Sequence, residues 1–217
     1  LVKNLPHVNF YFEPLADDSG NSIGSAMFVY REKSNSSDVH KLKDTFFNHV
    51  KDVVPDIGDQ VTTGEIASLI SQQKIVAVYN GQAEAGPRAL GNRSILFDAR
   101  NPDAKQIINS VKNREWYRPF AGSVLKDRAK EYFEMHGLND SPFMTVSFPV
   151  KEDKLDIIPG IVHVDNSCRI QTVDEDLWHY YELLMEFDRI TGVPVLLNTS
   201  FNVAGNPLIE TVEEAID

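Results

Sequence analysis

The sequence predicts an α/β fold on three observations. Two short apolar runs, the β-branched Ile75–Tyr79 and Pro194–Asn198, read as buried strands. Asp176–Gly192 carries apolar residues at helical spacing and ends at a glycine. Strand-like and helix-like segments then alternate along the chain, which is the pattern of layered α/β domains.

Taken in order, Val8–Phe12 is β-like, 17–21 is turn-like, and Ser22–Tyr30 is small and apolar, suited to a tightly packed helix. Ser34–Asp38 reads as linker, and Val39–Val53 fits either strand or helix. Thr63–Gln73 is helical, with Thr63 as its cap. Ile75–Tyr79 is a strand turned by Asn80-Gly81. Ala104–Lys112 and Arg128–Met135 are expected helices. Phe143–Val150, Val162–Val164 and Arg169–Val173 are expected strands. In the helix Asp176–Gly192 we expect Leu177, Tyr180, Tyr181, Leu184, Phe187 and Ile190 to face inward.

The 217 residues are 42% hydrophobic, enough for a sizeable core. No apolar stretch is long enough to span a membrane as a helix. One cysteine, Cys168, excludes an intrachain disulfide, so a reducing, cytoplasmic setting is the default expectation. Net charge is −11, which argues against a general nucleic-acid binder. Yet Arg88 to Lys130 holds ten Lys/Arg against four Asp/Glu, a local +6. A basic pocket in an acidic shell suits a small polyanion better than a long one. The first residue is not Met, and 213–217 resemble the first turn of an unfinished helix, so we expect a piece of a longer protein.

Three polar segments carry candidate chemistry. Gly81–Ser94 follows a strand and is rich in glycine, and Arg88 and Arg93 offer forked donors for phosphate. It is neither a Walker loop nor a dinucleotide fingerprint. Lys112, Arg114 and Arg118 lie among Trp116, Tyr117 and Phe120, a mixture that can stack a base and neutralise phosphates. Pro194–Asn202 is an apolar strand ending in Asn198, Thr199, Ser200 and Asn202, at the place where open α/β sheets bind ligands. Arg169 needs an anion if it points inward. Each segment also has a plainer reading, as a turn or a solvated face. The six histidines show no metal-ligand spacing, and Cys168 reads as a buried thiol.

Together the runs Glu84–Leu96, Lys112–Glu115 with Arg118–Ala121, Arg169–Gln171 and Leu196–Asn202 resemble the C-terminal part of the O-carbamoyltransferase family, which includes the nodulation and antibiotic carbamoyltransferases. The resemblance implies a YrdC-like fold, a twisted open sheet with flanking helices, that makes carbamoyl adenylate from carbamoyl phosphate and ATP with Mg²⁺. It gives Lys112, Arg118, Arg169 and Ser200 catalytic roles, and Arg88, Arg93, Arg114, Asn198, Thr199 and Asn202 roles in holding carbamoyl phosphate and nucleotide. It further implies domains at 1–33 (the end of an actin-like domain), 34–60 (linker) and 61–217 (the YrdC-like domain). The actin-like domain would pass the carbamoyl group to an unknown hydroxyl acceptor and would bind a transition metal of the iron type, with Asp18 at the matching metal position. The 165–168 run Asp-Asn-Ser-Cys, Asn206 and the bulky Trp116-Tyr117 depart from the family pattern. Two other readings stay open: a threonylcarbamoyl-adenylate synthase acting in tRNA modification, and a non-catalytic nucleotide-binding domain. An acidic surface with 10% aromatics also permits a homodimer.

Overall fold

The computed structural model describes residues 2–5, 7–38, 42, 44–47 and 58–216. The expected linker over 34–60 and the undecided segment 39–53 lie largely outside the described residues. Six strands form one sheet: β1 (Val76–Tyr79), β2 (Arg93–Asp98), β3 (Ala121–Leu125), β4 (Ser147–Pro149), β5 (Ser167–Val173) and β6 (Val195–Ser200). Their spatial order is β1-β2-β6-β3-β5-β4. β3 and β5 run parallel, and the other neighbours are antiparallel.

The central strands β2, β3 and β6 are almost wholly buried because both faces of the sheet are covered. Side chains alternate across a strand. Ile95, Phe97, Val195 and Leu197 therefore face the layer of α3 (Ala104–Val111), with Ile108, Ile158 and Ile161. Leu96 and Leu196 face the opposite layer, made by α2 (Thr63–Ser71) and α5 (Trp178–Thr191), with Ile70, Leu184 and Phe187. Fully burying one such side chain stabilises by about 1.5–3 kcal/mol, so the two clusters are the main source of stability.

Several local expectations shift. Thr62, not Thr63, caps α2, in a capping box where Glu65 N donates to Thr62 Oγ1 at 3.2 Å and Thr62 N to Glu65 Oε2 at 2.8 Å. In α5 the buried stripe is Tyr180, Leu183, Leu184 and Phe187, while Ile190 is 40% exposed. The nine residues of α2 leave the last turn of the fourteen-residue α5 uncovered. β1 is an edge strand and only half-buried. Val8–Phe12 and Val162–Val164 form no strand. The strand expected over Phe143–Val150 shrinks to β4, because Met144 takes a left-handed φ of 54°. The helix expected over Arg128–Met135 is only α4 (Ala129–Tyr132), since Phe133 leaves it to bridge Val150. β2 and β3 are strands that the sequence reading leaves unassigned. The N-terminal helix, α1 (Asn21–Ser34), buries none of its side chains, so the expected tight packing is not found among the described residues. The last helix, α6 (Val212–Ile216), is a single turn.

Gly91 joins the candidate loop to the core. Its φ is 115°, and a Cβ there would lie 2.4 Å from Tyr180 Cδ1. Gly91→Ala is therefore expected to cost about 2 kcal/mol or more. A denaturant melt checks this, and an unchanged midpoint would mean that α5 can move away from the loop.

Candidate functional site

One end of the sheet gathers the polar residues. In the ladder Asn198 stands opposite Ala121, Ser200 opposite Ser94, and Arg169 opposite Ser147. Because β3 runs parallel to β5 with Gly122 beside Ile170, the start of β3 and Arg169 lie at the same level. Loop 84–92 and the segment after α3 close over this end.

Two adjoining cavities open there. The smaller, of about 270 Å³, is lined by Arg88, Arg114, Arg118, Arg169, Asn198, Thr199 and Ser200, with Phe120 and Met144 as apolar walls. The larger, of about 570 Å³, is lined by Lys112, Arg114, Glu115, Arg118, Ser200 and Asn202. Arg114, Arg118 and Ser200 belong to both. Among the described lining residues Glu115 is the one carboxylate, bonded to Arg118 Nε at 2.6 Å.

The cations are held against their own repulsion. Burial lowers the Arg169 pKa to about 10, helped by the nearby Arg88 and Arg114. Burial and Arg118 lower that of Arg114. Such shifts mark a site that lacks a counter-charge. Two buried polar atoms of residues lining the smaller cavity, Arg169 Nε and Asn198 Oδ1, have no hydrogen-bond partner among the described residues. One is a donor and the other an acceptor, and both are left unsatisfied within the described residues.

Lys112 ends α3 and is 3% exposed. Its Nζ donates to Ser200 O, to Ser200 Oγ at 3.3 Å, to Asn202 O at 2.7 Å and to Asn202 Oδ1 at 2.9 Å. The ammonium thus braces the turn that ends β6. Burial pulls its pKa down to about 8, with Arg114 adding repulsion. Asn198 Nδ2 donates to Ala89 O at 3.2 Å and to Ser123 Oγ at 3.0 Å, and Gln171 Nε2 donates to Leu90 O at 2.8 Å. These bonds dock the loop that carries Arg88.

Arg93 is not brought to either cavity. It is 1% exposed, its guanidinium donates to Asn80 O at 2.8 Å and Gly81 O at 3.0 Å, and it lies 3.5 Å from the Tyr79 ring centre. It pins strand ends together, and its side chain cannot reach a phosphate in the cavities. Asp18 is exposed in a 3-10 turn, and the described residues contain no cluster of three or more His, Cys, Asp or Glu side chains that could hold a metal. Ser200 and Asn202 offer Mg²⁺ little, because their side-chain oxygens already meet the Lys112 ammonium.

Sequence reasoning passed over Glu84. Its Oε1 accepts from Leu90 N at 2.6 Å, Asn92 N at 2.8 Å and Arg93 N at 3.2 Å, folding the Arg88 loop from within. A buried carboxylate amid glycines was the available signal. No helix of the described residues is long and apolar enough to cross a membrane.

The family model for the carbamoyltransferase C-terminus matches residues 67–217. Nodulation protein NolNO of Sinorhizobium fredii is 35% identical over 96% of this chain and 33% of its own length. Nodulation protein U of Azorhizobium caulinodans is 36% identical over 94% of this chain and 37% of its own. The chain thus spans about a third of the length of these relatives. Among solved structures, full-length HypF in its phosphate- and nucleotide-bound form superposes with a TM-score of 0.52 at 20% identity, covering 74% of this chain and 20% of that one. That likeness concerns the fold, the YrdC-like sheet.

The Lys112 shift sets a pH test. An unfolded chain keeps this lysine protonated up to its ordinary 10.5, whereas the folded one does so only to about 8. Between those values the unfolded state binds more protons, so Lys112 contributes a stability that rises with pH. The melting temperature of wild type relative to Lys112→Met is expected to climb from pH 7.5 to about pH 10. A flat difference would mean that the four oxygen acceptors fully offset burial.

Proposed function

This chain belongs to the carbamoyltransferase C-terminus family, and on that premise we propose that its two joined cavities form carbamoyl adenylate from carbamoyl phosphate and ATP. One observation carries the reading: four arginines and a buried lysine surround a space whose lining holds a single carboxylate. Small dianions and polyphosphates match that charge, and forked arginines match phosphate oxygens.

The smaller cavity suits carbamoyl phosphate. Arg88 and Arg169 take its phosphate, and the unpartnered Asn198 Oδ1 can accept from its amide. The larger suits the nucleotide, with Lys112 steadying the Ser200–Asn202 turn beneath it. For the atoms to balance, water first releases phosphate from carbamoyl phosphate and leaves carbamate. A carbamate oxygen then attacks the α-phosphorus, the bond to the β-phosphate breaks, and pyrophosphate leaves. Arg114 and Arg118, on the shared wall, stabilise the charge that develops between the compartments. Thr199, half-buried in the lining of the smaller cavity, adds a hydroxyl there. Mg²⁺ enters with the nucleotide, held mainly by its phosphates, as this ion commonly is. In the whole protein, an upstream actin-like domain with its own metal, whose end would include Asp18, would pass the carbamoyl group to a hydroxyl acceptor.

The test is carbamoyl-phosphate-dependent exchange of labelled pyrophosphate into ATP by the full-length protein. Arg118→Ala is expected to slow exchange by about 10²-fold or more, the loss typical of a removed transition-state donor, with the melting temperature held. Ser200→Ala is expected to lower exchange more than stability. Absent exchange, or exchange indifferent to carbamoyl phosphate, overturns the proposal.

A further inference from the structure

The segment that carries Arg114 and Arg118 has little to hold it. Residues 113–119 form no helix or strand, and Trp116 and Tyr117 are 75% and 58% exposed. Asn113 turns the chain out of α3 with a left-handed φ of 50°. Two cationic side chains that repel each other must nevertheless keep fixed places on the shared wall.

Asn109 supplies the missing constraint. It sits on the buried side of α3 beside Ile108 and is 2% exposed. Asparagine favours neither a helix interior nor an apolar layer, so its presence there needs a polar reason. Its Nδ2 donates to Trp116 O at 3.2 Å and to Arg118 O at 3.1 Å. Its Oδ1 accepts from Arg114 Nε at 2.7 Å, and its backbone carbonyl accepts from Arg114 N at 3.1 Å. Two acceptors face one amide atom and a donor faces the other, so the orientation of the amide is fixed by its partners. Only an asparagine of this reach satisfies all three at once.

We infer that Asn109 is a positioning residue, which presets Arg114 and Arg118 for polyphosphate. It acts through them and touches no ligand itself. Its bond to Arg114 Nε orients that guanidinium, already stacked 4.5 Å from the Phe120 ring centre. Its bond to Arg118 O fixes the point from which the Arg118 side chain departs. The like-charge cost is then met by folding and does not recur at each binding event, which is what preorganisation means. The inference rests on the adenylate-forming reading for the ligand's identity, but the hydrogen bonds stand apart from it.

The experiment is a double-mutant cycle on the full-length protein, with inorganic pyrophosphate as the probe in calorimetry. Asn109→Ala is expected to weaken pyrophosphate about tenfold in the wild-type background, and by less than about twofold once Arg114→Ala and Arg118→Ala are present, because coupled residues are non-additive. Asn109→Asp keeps the side chain's size and the Arg114 acceptor but sets an oxygen against two carbonyls. It is expected to show the same background dependence, and it serves if the alanine variant does not fold. Ile108→Val, a core change on the same helix, is expected to lower the melting temperature and leave the affinity alone. Equal losses in both backgrounds would reduce Asn109 to a purely structural role and overturn the inference while leaving the functional reading intact. A wild-type protein that neither binds pyrophosphate nor exchanges it into ATP would overturn both.

Discussion

Repulsion among desolvated cations is the constraint on which the site depends. Arg88, Arg114, Arg118 and Arg169 converge on one cavity, and Lys112 lies buried next to it. Left to themselves, these side chains would swing apart into water. The fold prevents this by tying their backbones down, at a cost visible in the lowered proton affinities of Lys112, Arg114 and Arg169. A polyanion of the proposed kind would remove that cost, so part of the attraction would be stored before the ligand appears.

Asn109 ties Arg114 directly, and the other ties come from buried polar groups that hold the loop bearing Arg88. Glu84 collects three backbone amides of the loop that bears Arg88. Gln171 and Asn198 hold the carbonyls of Leu90 and Ala89, so the same loop is docked onto β5 and β6. These interactions work well because the sheet beneath is rigid. Its strands β2, β3 and β6 are almost wholly buried, with an apolar layer on each face. A shift of the sheet end would move Arg88 and Arg169 together.

Periodicity made the strongest elements legible. α5 and β6 were readable because their apolar residues repeat or run without a break. β2 and β3 escaped notice: β2 begins with Arg93-Ser94, and β3 reads Ala-Gly-Ser-Val-Leu, too small and mixed to signal a buried strand. The extent of β4 was obscured by Met144, whose backbone conformation no sequence pattern announces. At the site, charge density pointed to the right stretch, since arginines cluster where a polyanion could bind. Charge alone could not separate Arg88, which lines a cavity, from Arg93, which is sealed beneath a tyrosine ring. Asn109 gave no signal, because a helical asparagine looks like any polar surface residue until its partners are known.

The shared wall between the compartments has a thermodynamic consequence. Arg114, Arg118 and Ser200 face both spaces, so charge neutralised by an occupant of one is no longer offered in full to the other. On the proposed reading the two occupants would be linked, and linkage is reciprocal: whatever one did to the affinity of its neighbour, the neighbour would do in return. When an anion departs from either side, the remaining one is held more tightly, so such a site grips most firmly at the moment when half of it has just emptied.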